Sequence, residues 1–148
     1  MSPLSSHARE FLGEPRFGVL ATVGVTGAPR QTVMWYLLEG DEILFNTALG
    51  RRKPEHLARE QRVSLVVEDG YRYVCVSGSV RTVTDRETTQ GDIHRLAARY
   101  QGVEAAERAM QRFSKEERIS YRFEITGAVQ YGLGARSTAP RSPGAHSP

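Results

Sequence analysis

Short apolar segments separated by glycine-containing turns occupy the first half of the chain. Residues 17–23 are rich in apolar and β-branched side chains, and residues 24–27 provide a turn. Similar patterns over residues 30–38 and 42–47 predict a second and a third strand, with a tight reversal at residues 39–41. Because turns this short connect antiparallel neighbours, the three strands are expected to form a meander.

Alternation of apolar and polar residues predicts three more strands in the second half. They run over residues 62–68, 71–83 and 119–126, with β character that continues to residue 131. Gly78 lies inside the second of these strands. A residue without a side chain at that position predicts a bulge or bend of the kind that a barrel needs in order to close.

Helical segments are expected around these strands, over residues 6–12, 51–59, 85–100 and 103–113. Six strands with short turns and inserted short helices give an α+β fold with a six-stranded antiparallel β-barrel, formed by residues 1–133. From residue 134 to residue 148 the chain is polar and has little to bury. We expect this segment to be a disordered tail.

Composition narrows the class of protein. The 148 residues fit one domain, and 20 Lys and Arg residues against 17 Asp and Glu residues are a mild excess that does not indicate nucleic-acid binding. No segment approaches the roughly 18 to 20 consecutive apolar residues of a membrane-spanning helix. The N-terminus lacks the zones of a signal peptide. We therefore expect a cytoplasmic protein with no membrane span.

The sequence offers no pattern for metal binding or for nucleophilic catalysis. His7, His56, His94 and His146 lie far apart, and Cys75 is the only cysteine, so no metal-ligand spacing arises. No Gly-x-Ser-x-Gly motif is present. We assign no metal site and no catalytic side chain.

The clearest candidate for chemistry follows the third strand. Asn46 and Thr47 end that strand, and Arg51, Arg52 and Lys53 open the next helix. Cations at a helix N-terminus oppose the helix dipole by about 0.3–1 kcal/mol each, and a bound anion such as phosphate would relieve that conflict. Taken alone, three such cations are more often a solvated basic turn, so the neighbouring segments decide between the two interpretations.

The second strand combines polar residues with large flat or polarisable ones. Such a strand can support a planar ring with one face and form hydrogen bonds to the edge of that ring. The alternative is a mixed barrel strand with Met34 and Trp35 in the core. Considered without its neighbours, this strand favours that alternative. The residues concerned are Arg30, Gln31, Thr32, Val33, Met34 and Trp35.

From residue 17 to about residue 131 the sequence resembles the pyridoxamine 5′-phosphate oxidase-like superfamily of flavin-binding split β-barrels. The resemblance lies in the order and spacing of a strand after a Gly-x-Pro turn, a strand that ends in Phe-Asn-Thr, and an Arg-Lys pair. It implies that Arg52 and Lys53 bind the cofactor's phosphate, with Arg51 beside them. The other cofactor-binding residues that it implies are Arg30, Gln31, Thr32, Val33, Met34, Asn46 and Thr47.

Within the superfamily, the Trp35-Tyr36-Leu37 stretch and the "NTALGRRK" loop look more like the branch that uses the deazaflavin coenzyme F420. The segment after Tyr131 departs from the oxidase itself, because it lacks that enzyme's Trp and Arg motif for pyridoxal phosphate. The resemblance implies a homodimeric F420-dependent oxidoreductase that transfers a hydride to or from a small organic substrate. FMN in place of F420, and a non-catalytic flavin- or haem-binding protein, are the alternatives.

Overall fold

The computed structural model describes residues 1–134, so the predicted tail lies outside the described residues except for Gly134. The strands are β1 (Gly18–Val23), β2 (Pro29–Met34), β3 (Leu37–Glu39), β4 (Glu42–Ala48), β5 (Arg62–Glu68), β6 (Tyr73–Val83) and β7 (Arg118–Tyr131). The helices are α1 (Ser6–Gly13), α2 (Arg52–Arg59), α3 (Arg86–Gln101) and α4 (Val103–Phe113). None of these helices is long and apolar enough to cross a membrane.

All seven strands form one antiparallel sheet in the order β2-β1-β5-β6-β7-β4-β3. β2 and β3 lie at opposite edges of that sheet, although only Trp35 and Tyr36 separate them along the chain. Three residue steps of extended chain span roughly 11 Å at most. The sheet must therefore curl until its two edges approach each other, which confirms the predicted α+β class with an antiparallel split barrel.

The prediction of six strands is wrong, because the segment expected to be one strand over residues 30–38 is two. The unbroken run of large residues from Val33 to Leu38 gave no sign of the interruption. At the break, the backbone N–H of Tyr36 donates to the Tyr100 hydroxyl at 3.2 Å, and that hydroxyl lies 3.1 Å from the Tyr36 carbonyl oxygen. The single hydroxyl proton of Tyr100 has its shortest contact, 2.6 Å, with the Arg16 carbonyl oxygen. This side chain of α3 thus satisfies the backbone N–H of Tyr36, which a neighbouring strand would otherwise satisfy.

The bulge predicted at Gly78 is confirmed. The pairing of β6 with β7 shifts register between Ser77 and Gly78. A Cβ atom placed on Gly78 would overlap the carbonyl oxygen of Glu124 on β7. Close backbone approach at this point therefore requires glycine and bends the longest pair of strands around the barrel.

β4 is buried on both of its faces, and this places the helices relative to the barrel. Ile43 and Phe45 belong to the core inside the curled sheet, where Phe45 stacks on Tyr121 at a ring distance of 4.9 Å. Leu44 points the other way and belongs to a second cluster with residues of α3 and α4 such as Phe113. The C-terminal end of α4 is thereby held beside the end of β4.

Candidate cofactor-binding site

Two adjoining clefts lie where β2, the end of β4 and the start of α2 meet. The wide cleft has a volume of about 280 Å³ and is bordered by Thr32, Val33, Met34, Trp35, Asn46, Thr47, Arg51, Lys53, Ile93, Leu96, Arg112, Phe113 and Arg118. The narrow cleft has a volume of about 190 Å³ and is bordered by Thr22, Arg30, Gln31, Thr32, Arg52, Lys53 and His56. Every residue that the sequence assigned to the cofactor borders one cleft or the other, and Thr32 and Lys53 border both.

Lys53 lies between the two clefts in an electrostatically unfavourable position. Its ammonium group is 5.8 Å from the centre of the Phe45 ring, and no carboxylate among residues 1–134 forms an ion pair with it. Burial, and then the nearby charge of Arg51, lowers the pKa of Lys53 to about 8. A bound anion would supply the counter-charge that these residues do not.

The N-terminus of α2 is open to the same region. Arg51 is the N-cap residue in an extended conformation, and its side chain makes no capping hydrogen bond. The first backbone N–H groups of the helix consequently lack a side-chain acceptor at the cap. Together with the cations around them, they form a donor set that suits phosphate.

His56 and Thr22 border the narrow cleft and were missed by the sequence analysis. His56 is buried on α2, and its ring makes no hydrogen bond within the described part of the chain. The missed signal is its spacing, because residues three apart on a helix share a face and His56 follows Lys53 by three positions. The narrow cleft thus combines an imidazole with the side chains of Arg30, Arg52 and Lys53.

Asn46 is more occupied than the sequence suggested. Its Nδ2 group donates to the Thr89 carbonyl oxygen at 3.0 Å and to the Ser120 hydroxyl at 2.9 Å. Its Oδ1 atom accepts a hydrogen bond of 2.6 Å from Nε of Arg118. Both N–H donors are therefore used inside the protein, and the side chain fixes Arg118 at the wall of the wide cleft.

Arg118 and Arg112 are the second pair of site residues that the sequence analysis missed. The Arg118 and Arg112 guanidinium groups lie 4.9 Å and 4.8 Å from the centre of the Phe113 ring. Burial lowers the pKa of Arg118, Glu116 opposes that shift, and Arg51 and Arg112 add to it. Only the folded chain brings Arg118 to the end of β4 and to Arg51, because β7 pairs with β4 across about 70 residues of sequence.

Trp35 both lines the wide cleft and packs against the protein. Its ring stacks on Tyr100 at 5.4 Å, with the two planes 7° apart, and Tyr100 stacks in turn on Phe17 at 5.7 Å. The stack immobilises the indole at the cleft wall. Arranged in this way, the wide cleft can hold a planar ring between β2 and α3.

Among residues 1–134 no group of His, Cys, Asp and Glu side chains is suited to bind a metal.

A family model described as pyridoxamine 5′-phosphate oxidase matches residues 4–127. No curated protein matches the sequence significantly. Among solved structures, an F420 reductase is 25% identical with a TM-score of 0.70, and the match covers 85% of this chain and 98% of that one. A conserved hypothetical protein from Mycobacterium tuberculosis is 27% identical with a TM-score of 0.74, covering 88% and 86%. The haem storage protein HutZ from Vibrio cholerae shares the fold at 19% identity and a TM-score of 0.68, covering 90% and 98%.

Proposed function

Because the chain belongs to the pyridoxamine 5′-phosphate oxidase family, we propose that it is an oxidoreductase that binds a flavin-type cofactor, with coenzyme F420 as the first candidate. The observation that carries this proposal is Lys53, a desolvated cation at the junction of the two clefts that pairs with no carboxylate of residues 1–134. The similarity to an F420 reductase over nearly the whole of that chain supports F420 in particular. FMN is the alternative, since both cofactors carry a phosphate on a ribityl chain.

In this proposal the narrow cleft holds the phosphate. Arg30, Arg52 and Lys53 supply charged donors, and His56 supplies a further ring N–H. Within the described part of the chain no carboxylate borders that cleft, so none of these residues repels an anion there. The residues present therefore fit a phosphate group.

The wide cleft would hold the ring of the cofactor along β2. Thr32, Val33 and Met34 would present backbone and side-chain groups to the ring, Gln31 would lie at the phosphate end, and Thr47 would meet the ribityl chain. When bound, such a cofactor exchanges a hydride with a small organic substrate. The protein then has to bind and orient the cofactor and the substrate and to exclude water from them. This agrees with the lack of a nucleophilic motif in its sequence.

A homodimer forms part of the same proposal. One residue from each of five neighbouring strands aligns in register across the outer face of the sheet: Val33, Val19, Val66, Cys75 and Val129. Val33 and Val129 are 65% and 63% exposed in the single chain. Such an apolar row on an uncovered face favours burial against a second copy, which would also cover the edge strand β2 and the cofactor residues that it carries.

The decisive experiment is titration of the purified protein with F420 and with FMN, in which isothermal calorimetry measures the affinity for each cofactor. Replacing Arg52 and Lys53 by alanine should weaken binding by several kcal/mol, at about 1.5–3 kcal/mol for each charged hydrogen bond. Arg108→Ala with Lys115→Ala removes the same two charge types away from both clefts and should leave affinity unchanged. Equal affinity in both double variants would refute the phosphate assignment.

The same titration separates the candidate cofactors. Tight binding of FMN with no response to F420 would replace the first candidate by the second. Turnover with the reduced cofactor across a panel of enones and quinones tests the oxidoreductase activity. Cofactor binding without any turnover would favour a non-catalytic cofactor-binding protein.

A further inference from the structure

We propose that Arg112 and Arg118 form an anion-binding subsite in the wide cleft, separate from the phosphate-binding residues, and that it selects second reactants carrying a carboxylate or similar anionic group. The inference rests on the proposed function, because it assigns the substrate class of the same cleft. Its central observation is a buried guanidinium that the protein satisfies only in part.

The side chain of Arg118 is 6% exposed, and its hydrogen bonds are unevenly distributed. Nε donates to Asn46 and Nη1 donates to Glu116 at 2.5 Å. Nη2 forms no hydrogen bond within residues 1–134, and it is not one of the buried polar atoms that lack a partner there, so it is accessible from the wide cleft that Arg118 borders. An accessible donor of a charged group can form a charge-assisted hydrogen bond, so this position favours an anionic acceptor from a ligand.

The Arg118 guanidinium is held rigidly in this orientation. Asn46, which fixes Nε, is itself bonded to α3 through Thr89 and to β7 through Ser120. The face of the guanidinium lies against Phe113. A donor held by three elements of the fold loses little entropy when a ligand binds, which is a property of a preorganised site.

Arg112 adds a second cation from α4. The Arg112 guanidinium lies against the Phe113 ring, which Arg118 also contacts. No carboxylate among the described residues pairs with Arg112. Arg51 and Lys53 border the wide cleft as well, and no acidic side chain from residues 1–134 does. One bound carboxylate would relieve the repulsion between neighbouring cations and use the donors that both arginines present.

The subsite differs from the phosphate site in position and in surroundings. Arg112 and Arg118 border only the wide cleft, whereas Arg52 borders only the narrow one. Trp35 and Leu96 border the same wide cleft and give it an apolar wall. The combination fits an organic acid with a flat apolar body and an anionic end.

Isothermal calorimetry of 2-naphthoate against its neutral isostere 2-naphthamide tests this inference without turnover, on protein with and without saturating cofactor. Wild type should bind the carboxylate more tightly than the amide. Arg112→Gln and Arg118→Gln should each lower naphthoate affinity by roughly 10-fold or more, as expected for a charged hydrogen bond, with no change for the amide. Arg108→Gln on the same helix is the matched control and should change neither.

Several results would overturn the inference. Wild type that does not distinguish the two probes, or Arg112→Gln protein that binds naphthoate normally, would do so even if Arg118→Gln failed to fold. A loss of F420 or FMN affinity in these variants without a loss of naphthoate affinity would assign the arginines to the cofactor instead. Failure of wild type to bind either cofactor would count against the proposed function, whereas the probes still test the subsite in the cofactor-free protein.

Discussion

At the scale of single residues, Lys53 shows how the fold changes the titration of an ordinary surface residue type. Its pKa of about 8 results first from burial and then from Arg51. The folded chain therefore releases this proton at lower pH than an unfolded chain, whose lysine titrates near 10.5. Without ligand, the contribution of Lys53 to stability rises as the pH increases from about 8 towards 10.5.

Ligand binding should show the opposite dependence on pH. A bound phosphate stabilises the charged ammonium, so affinity for F420 or FMN should be greatest below about pH 8 and decline above it. Calorimetric titrations between about pH 6.5 and pH 9.5 measure this. Lys53→Arg keeps its charge over that range and should remove most of the decline. A decline of the same size in Lys53→Arg protein would show that another group is responsible.

At the scale of elements, the spacing of apolar residues along the chain predicted those strands and helices that bury one apolar face. The helices and the bulge at Gly78 follow from local pattern, and the structure confirms them to within a few residues. The break between β2 and β3 could not be predicted, because it depends on the hydroxyl of Tyr100, which is distant in sequence.

The residues of the candidate site also divide into those that local sequence pattern could identify and those that depend on contacts distant in sequence. Residues contiguous with a recognisable strand end or helix start, such as Thr47 and Lys53, could be assigned from the sequence as cleft residues. Arg118 could not, because its position depends on the pairing of β7 with β4 and on Asn46. His56 looked like an isolated histidine until α2 placed it in the narrow cleft.

Gly78 allows a test at this scale. Gly78→Ala should destabilise the protein by about 1–3 kcal/mol or more, because the added methyl group meets the backbone of β7 and the strands must separate. Gly91→Ala lies in α3 with open space around it and should stabilise by up to about 1 kcal/mol. Urea denaturation of both variants measures the difference, and similar unfolding midpoints would contradict the bulge's structural role.

At the scale of the whole molecule, the curled sheet encloses one core, α3 and α4 cover part of its outer face at β4, and the in-register row from Val33 to Val129 stays uncovered in the single chain. Both edge strands meet near Trp35, so the site lies where the barrel is least closed. β2, which carries much of the candidate site, is largely exposed on its side chains. A second chain packed on this face would therefore affect binding as well as assembly.

Replacing Val129 by glutamate should convert a dimer into monomers, because it introduces a charge into the in-register apolar row. Val103→Glu places the same charge on α4, where the residue is 69% exposed, and should leave the assembly intact. Light scattering coupled to size-exclusion chromatography gives the mass of each. A wild-type monomer with cofactor bound would rule out the dimer.

The stacking of Trp35 on Tyr100 also has an optical consequence. Trp35 is the only tryptophan in the sequence, and it borders the wide cleft. All indole emission from the protein therefore originates at one wall of that cleft. Flavins and deazaflavins absorb light in the region where indole emits, so a bound cofactor should quench this fluorescence by energy transfer. The chain thus contains its own reporter of occupancy, with which binding, release and competition can be followed in real time without a label.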